Sequence, residues 1–482
     1  MKTVDIDIKF DTHYKLAITI SDEVLLQQLT DYAETRDLIV FKTKGKNPIL
    51  KRELKITKLY EEVSENTIRI DAGLIDYVVA WVRSLDRGVY DLHVRSDLPH
   101  TTSVELNDKW NNTLRDDQKE DVKTLTRFYG GLAAQHTGYG KTLCMLSIVE
   151  CLPGRSLILV PNSGILSEVQ LRGEQFGITI PHYSWDTSLD ILNPVGFLRS
   201  KEAKKDHVKE WLSGVENVFT DEAHYLQAKS WDTLFREFLP NVKRAYGFSA
   251  SPDSKDGKHL TPGEMEIRTL GSKSAKILGL SGSTRVKRKS KAAMTLVEVK
   301  AEITPEVHVS PENWQEALDL MLMQPSCARV ISEVIDRYPD VKFYIPVHKI
   351  ESGRRLFDQL QKYGIKGVFW RAGETVPEKE DSKEDTLTFV KRHVIQDEYR
   401  FLMTTSVGFE GIDIPALSGI IPLTGKSYRM VMQPAGRSAR GGEITYVLIR
   451  DKHNRVMENQ TRERKSKITK EYNVVRNERL SY

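Results

Sequence analysis

Gln135-His136-Thr137-Gly138-Tyr139-Gly140-Lys141-Thr142 gathers two glycines, a lysine and two hydroxyls into one short stretch, and Asp221-Glu222-Ala223-His224 follows downstream. Gly138 and Gly140 let backbone N–H groups curl around phosphate oxygens, and Lys141 adds a mobile positive charge. Thr142 offers a hydroxyl to Mg²⁺, at the start of a helix whose positive dipole end faces the phosphates. Asp221 can complete the metal shell, and Glu222 beside it can polarise an attacking water. Together these types and spacings predict hydrolysis of a nucleoside triphosphate, with ATP and Mg²⁺ as cofactors.

Either segment alone could be an unrelated loop or an acidic turn, so the flanking elements decide. Tyr129-Gly130-Gly131-Leu132-Ala133-Ala134 reads as a buried strand, and Leu143 to Leu152 as an apolar helix. That is the strand–loop–helix order a phosphate loop requires. Val215 to Thr220 reads as a second strand, which delivers Asp221 to the carboxyl end of a sheet, where open α/β folds bind ligands. Farther on, Arg437 and Arg440 stand three apart in Gln433-Pro434-Ala435-Gly436-Arg437-Ser438-Ala439-Arg440. On one helix face both could reach a transferring γ-phosphoryl group.

Composition sets the frame. A chain of 482 residues accommodates about three domains of ~150 residues each, and 39% hydrophobic with 29% charged residues is ordinary globular composition. The net charge of +4 is too small to indicate a nucleic-acid partner, so such contacts must come from local clusters. Cys144, Cys151 and Cys327 match neither a disulfide framework nor a zinc-ligand pattern, which predicts reduced, buried thiols and a cytoplasmic location. Asp5, Asp7 and Lys9 occupy the start in place of an apolar signal core, and no apolar run approaches the ~20 residues of a membrane span. A soluble protein is expected.

Along the chain, residues 1–100 read as a small basic α+β accessory domain. Val4 to Ile8 alternates as a strand, Asp22 can cap a helix through Leu25 and Leu29, and Leu74 to Val82 reads as a second helix. Lys42, Lys44, Lys46, Lys51, Arg52, Lys55 and Lys58 are opposed there only by Glu53. This is either a solvated hairpin or a surface that tracks duplex DNA phosphates, and an ATP-driven motor behind it favours the second. Leu98 to Asn112 reads as a linker. Residues 113–270 alternate strand and helix as a first lobe, and residues 271–310 read as a glycine-containing connector with basic residues Arg285, Lys287, Arg288, Lys289 and Lys291. That run fits a surface loop or a second nucleic-acid contact equally well. Residues 311–482 alternate again as a second lobe and finish in a charged helix.

In this order and spacing the motifs resemble superfamily 2 helicases, over roughly residues 113 to 455. Leu114 to Gln118 resembles the adenine-reading segment, with Arg115 and Gln118 toward the nucleotide, and Thr137 through Thr142 the phosphate loop. Pro161-Asn162-Ser163 and Asn193-Pro194 resemble strand-end loops that hold nucleic-acid phosphates. Asp221 to His224 is the second motif in its Asp-Glu-Ala-His spelling, and Ser249-Ala250-Ser251 resembles the linkage motif, so His224, Ser249 and Ser251 are implied to couple hydrolysis to strand movement. Thr404 to Pro415 resembles the fifth motif, implying a nucleic-acid contact at Ser406 and nucleotide contacts at Gly411 and Asp413. Gln433 to Arg440 resembles the sixth, with Gln433, Arg437 and Arg440 acting on the γ-phosphate. Two departures stand out: Gln135 replaces the usual small residue at the start of the phosphate loop, and Asn162 replaces a frequent threonine.

The resemblance implies an α/β fold, with two tandem RecA-like parallel-sheet lobes preceded by the small α+β N-terminal domain. The layout is similar to phage UvsW-type recombination and repair helicases and to the group of XPB and type III restriction motors. It implies a monomeric ATP-dependent helicase or translocase on duplex, forked or branched DNA, working beside recombination or replication proteins. RNA unwinding, duplex translocation without unwinding, and an ATP-gated binding switch are the alternatives.

Overall fold

The structure, a computed structural model, describes residues 2–11, 14–42, 50–97, 103–250, 272–290, 292–305, 309, 313–370, 386–396, 398–405, 416–425 and 443–482. The chain forms two compact units, Met1–Gln135 with Gly140–Arg288, and Lys289–Tyr482 with His136–Tyr139.

The first unit opens with β1 (Lys2–Asp11), β2 (Lys15–Ile20), β3 (Glu34–Lys42), β4 (Leu50–Lys58), β5 (Tyr60–Ser64), β6 (Thr67–Asp71) and β7 (Tyr90–Asp97). Five of these form a mixed sheet in the order β5-β6-β2-β1-β7, in which β1 and β7 run parallel, and β3 pairs with β4 in a separate antiparallel ribbon. The alternation read in β1 is the pleat itself: Val4, Ile6 and Ile8 are buried and Thr3 and Asp5 exposed. Asp22 caps the helix Glu23–Tyr32 by accepting the Leu25 N–H at 2.8 Å, which directs Leu25, Leu26 and Leu29 into the core.

This N-terminal sheet shares one apolar core with the first parallel lobe, running from Val4 and Leu16 through Leu132 and Val218 to Leu280. The approach is closest at Gly73, where an added Cβ would stand 1.9 Å from the Leu278 carbonyl oxygen and 2.5 Å from the Gly282 nitrogen. Ion pairs of Asp71 with Arg236 and of Asp76 with Arg285 flank that contact, and the Arg285 guanidinium lies over the Phe128 ring at 3.7 Å. The stretch expected to be a linker contains a helix, Asp108–Thr113, anchored by the fully buried Trp110. Its indole N–H donates to Glu150.

The first lobe's strands are β8 (Gly130–Gln135), β9 (Arg155–Leu159), β10 (Leu189–Leu192), β11 (Val215–Asp221), β12 (Arg244–Ser249) and β13 (Thr284–Arg288). They form an all-parallel sheet in the order β10-β9-β11-β12-β8-β13. The second unit holds β14 (Ala293–Ala301), β15 (Lys342–Pro346), β16 (Gly367–Trp370), β17 (Phe401–Thr404), β18 (Leu417–Ile420), β19 (Ile444–Asp451) and β20 (Asn473–Ser481), again all parallel, in the order β16-β17-β15-β18-β19-β14-β20. Two parallel-sheet lobes behind a small mixed sheet are thus present, as the fold class required.

Two regions differ from expectation. The proposed connector at 271–310 contains the helix Ser272–Ser281, the edge strand β13 of the first sheet and the interior strand β14 of the second. Ile277, Leu278 and Leu280 bury the helix, and Met294, Leu296, Val297 and Val299 bury β14. The basic residues Arg285 and Arg288 are engaged in ion pairs within the first unit. The chain also continues past the charged helix Arg455–Glu471 into β20, which lies along β14 with its arginines on an exposed edge. Among the described residues no helix is long and apolar enough to cross a membrane.

The Gly73 contact generates the first prediction. Gly73→Ala should lower stability by about 1–3 kcal/mol, the usual cost of forcing extra volume into a packed site. Denaturant midpoints check it, and an unchanged midpoint would mean the backbones can separate without cost.

Candidate nucleotide-hydrolysis site

The phosphate loop is built from backbone geometry that its sequence permits. Gly138 and Gly140 adopt φ of 83° and 99°, and Gly140 is the left-handed residue from which the helix Lys141–Cys151 starts. A second reason for glycine at 140 is space, since a Cβ there would stand 2.4 Å from Gln118 Nε2. The Gly140 carbonyl accepts the N–H groups of Leu143 at 3.0 Å and Cys144 at 3.2 Å, so Lys141 and Thr142 occupy the first two helical positions. Gln118 is buried, and its side-chain oxygen accepts the Arg115 N–H at 3.0 Å, which caps the helix Asp116–Thr126.

The unusual Gln135 has a structural cause. Its Nε2 donates to Asp121 Oδ2 at 2.8 Å, while Arg288 Nε donates to Asp121 Oδ1 at 2.7 Å. Arg288 also pairs with Glu120 at 2.7 Å. Asp121 is nearly fully buried, so it needs both partners. A small residue at 135 would leave one carboxylate oxygen without that donor.

Asp221 and Glu222 lie where β11 ends. Glu222 is strained, with a non-glycine φ of 53°, and its N–H donates to Asp221 Oδ1 at 2.9 Å. Its Oε2 accepts from Ser249 Oγ at 3.1 Å and lies 3.2 Å from His224 Nδ1, which is itself 3.3 Å from Ser249 Oγ. Three groups from the second and third motifs therefore form one triangle. Parallel pairing of β11 with β12 sets it, because Asp221 stands opposite Phe248 and Ser249 is the next residue along. Burial and the neighbouring Glu222 carboxylate push the Asp221 pKa up, against the pull of Lys141. For Glu222 burial acts upward too, but hydrogen bonding to His224, the charges of His224 and Lys141, and Ser249 hold its carboxyl below the usual range.

This donor set fits Mg²⁺ bound with a nucleotide. Asp221 is buried and the adjoining Glu222 half-buried, and Lys141 is the cation that acts on both, an excess of negative charge that a divalent ion would relieve. No group of three or more His, Cys, Asp or Glu side chains is arranged as a self-sufficient metal cage among the described residues. Thr142 and Asp221 are the residues that would hold Mg²⁺.

Other expected contacts fare differently. The Asn162 side-chain oxygen accepts the Ile165 N–H at 2.9 Å and caps the helix Ser163–Gln175. Asn193 Oδ1 accepts the Gly196 N–H at 2.7 Å, and its Nδ2 donates to the Val160 carbonyl at 3.1 Å and to the Pro161 carbonyl. The Asn193 side chain thus ties the end of β9 to its own turn, as Asn162 caps the helix that follows β9. Ser163 is exposed beside Pro161 and Asn162. Lys42 closes β3 and Arg52 lies in β4. Lys44, Lys46, Ser251, Ser406, Gly411, Asp413, Gln433, Arg437 and Arg440 lie outside the described residues.

No family model matches the chain. It is 25% identical over 352 residues to a protein of Sulfolobus islandicus filamentous virus that is named as a helicase, across 67% of this chain and 60% of the viral one. It is 22% identical over 372 residues to the DNA 3'-5' translocase XPB2 of Sulfurisphaera tokodaii, across 70% of this chain and 80% of that relative. The chain is homologous to superfamily 2 helicases. Among solved structures, the DUF1998 helicase MrfA bound to DNA and AMPPNP shares its fold with a TM-score of 0.51 at 13% identity, over 79% of this chain and 56% of that one. The chain spans 60% of the viral relative's length.

Sequence reasoning missed Asp121 and Arg288, although the misfit of Gln135 with its motif was a usable signal. The buried carboxylate makes their removal unequal. Gln135→Ala should cost about 1 kcal/mol, one hydrogen bond to a retained ion pair, whereas Arg288→Ala should cost about 2–3 kcal/mol by stripping the charge partner from a buried acid. Chemical denaturation of both variants checks the order, and a larger loss for Gln135→Ala would refute it.

Proposed function

We propose that this chain is an ATP-driven motor that moves along DNA and remodels duplex, forked or branched structures. The observation that carries the proposal is the Glu222–His224–Ser249 triangle, a strained carboxylate held at the end of β11 beside Asp221 and joined to the strand that leads into the third motif. The name of one relative, a DNA 3'-5' translocase, supports DNA as the track.

In this reading Lys141 and the amides of the Gly138–Gly140 loop bind the triphosphate, and Gln118 borders the base. ATP is the substrate that supplies the scissile phosphoryl bond, and Thr142 and Asp221 would hold a Mg²⁺ ion, which would neutralise charge on it. Glu222 orients the attacking water, with His224 and Ser249 fixing the carboxylate. Gln433, Arg437 and Arg440 stabilise charge on the transferring group. Loops at Pro161–Ser163 and Ser406 hold phosphates and sugars, so little base specificity is expected, and Lys42, Lys44, Lys46 and Arg52 grip duplex DNA.

The test is ATP turnover measured with single-stranded, duplex, forked and four-way-junction DNA and with matched RNA. Strongest stimulation by forked or four-way DNA supports the proposal. Stimulation by RNA alone would replace DNA with RNA, and turnover indifferent to every nucleic acid would sink the motor reading.

Two substitutions separate binding from hydrolysis. Glu222→Gln keeps the shape, so it should leave ATP binding nearly intact while lowering turnover by about two orders of magnitude or more. Lys141→Ala removes a charge from the phosphates and should weaken both. Equilibrium nucleotide binding alongside steady-state hydrolysis distinguishes them. Near-normal turnover in Glu222→Gln would mean another group orients the water.

A further inference from the structure

Between the helix Ser163–Gln175 and β10, the first lobe carries a loop that the hydrolytic chemistry does not use. Tyr183 and Trp185 both adopt left-handed backbone there, with φ of 60° and 59°. Side chains other than glycine rarely take that conformation, and such strain persists only where the surroundings over-determine it. Here the buried Asp190 carboxylate does so. It accepts backbone N–H groups from Tyr183 at 3.1 Å, Ser184 at 3.0 Å, Trp185 at 3.5 Å and Ile191 at 2.7 Å. The Trp185 indole N–H donates to Glu202 at 3.2 Å, and the Trp211 indole N–H to the Thr187 carbonyl at 2.8 Å.

The strained loop holds a column of rings. His182 stacks on Tyr183 with centroids 3.9 Å apart and planes inclined by 28°, and Tyr183 lies along Trp185 at 5.6 Å and 15°. Burial falls along the column: Trp185 is buried, Tyr183 half-buried and His182 exposed. A hydrogen bond between His182 Nδ1 and the Ile191 carbonyl, 2.7 Å, fixes the outermost ring. Packing of the apolar core accounts for Trp185, but it does not account for an ordered ring at the solvent end.

Cations stand on the adjoining segment. Arg199, Lys201 and Lys204 are exposed and have no acidic partner among the described residues, whereas Lys205 and Lys209 pair with Glu202 and Asp206. Glu202 also receives the Trp185 indole N–H, so the ring column and the basic segment are one connected piece. An exposed π face on a loop tied through Trp185 and Glu202 to a segment of uncompensated positive charge complements a nucleic-acid strand, which presents an unpaired base beside its phosphates.

We propose that this ledge grips a single strand, with an unpaired base stacked on His182 and the flanking phosphates on Arg199, Lys201 and Lys204. The proposal rests on the motor reading above and adds a contact outside the helicase motifs.

The full chain can be titrated with a single-stranded DNA oligonucleotide containing 2-aminopurine, with RNA of the same sequence and with a blunt DNA duplex, from about 50 to 200 mM salt. His182→Ala should weaken single-strand binding about fivefold or more and abolish the stacking-dependent fluorescence quench. It should leave duplex affinity unchanged, because paired bases are already stacked. His182→Phe should restore affinity and quench. A triple Arg199→Ala, Lys201→Ala, Lys204→Ala variant should lower the salt slope by about two units, at ~0.7 per lost single-strand contact. ATP turnover at saturating DNA should hold in all of them. Similar losses on DNA and RNA, or a loss on one alone, support the ledge and identify its strand. Wild-type affinity, quench and slope in both the His182→Ala and triple variants overturn the ledge and leave the motor reading standing. A wild-type chain that binds neither DNA nor RNA, and whose ATP turnover neither stimulates, overturns the motor reading and the ledge with it.

Discussion

The Asp121 carboxylate is the constraint on which the first lobe's geometry turns. Its two oxygens take a donor from the end of β8, through Gln135, and one from the end of β13, through Arg288. An acid this buried is stable only with good partners, so strand ends distant in sequence are held against one helix. The same helix carries Gln118 three residues earlier, on the same face and one turn away. Gln118 lies against Gly140, at the far end of the phosphate loop. One helical face therefore clamps the loop where it begins and where it ends, and the loop's shape follows from two side chains on a neighbouring element.

A comparable economy operates at the end of β11. Backbone strain at Glu222 is offset by partners on its carboxylate, and those partners come from both the turn after β11 and the last residue of β12. Any displacement of β12 along β11 would break the Ser249 bond and release the carboxylate. The acid is thus sensitive to strand register, a property that an exposed glutamate on a flexible loop would lack. The preceding Asp221, paired with Phe248 across the ladder, shares that dependence.

Much of the fold was legible because interior parallel strands are continuous apolar runs, as in Leu157–Val160 and Phe343–Ile345, and because Asp22 announces a helix start. Edge strands hid for the same reason. Thr284-Arg285-Val286-Lys287-Arg288 buries only Val286, and β20 carries three charged residues, so both resemble surface loops until their neighbours are known. Trp110 was concealed inside a polar stretch whose composition suggested a linker. In the site, the glycines and the Asp-Glu-Ala-His run were readable because their chemistry is local. The caps that Asn162 and Asn193 form were not, since a carboxamide that caps a helix and one that binds phosphate look identical in sequence. Asp121 and Arg288 are 167 residues apart, beyond the reach of any spacing rule.

The place of β20 has a consequence for how the chain is made. Its partner β14 is interior to the finished sheet and mostly buried, yet it leaves the ribosome more than 170 residues earlier. At ~5–20 residues per second that is a delay of roughly 10–35 s, during which one side of β14 presents open backbone donors and acceptors. The strand that finally covers it is charged and short of apolar side chains, so it contributes mainly ladder hydrogen bonds. Until it arrives, a nascent second lobe offers a docking edge to any extended segment nearby, which makes this the step at which crowded synthesis and chaperone access would matter most.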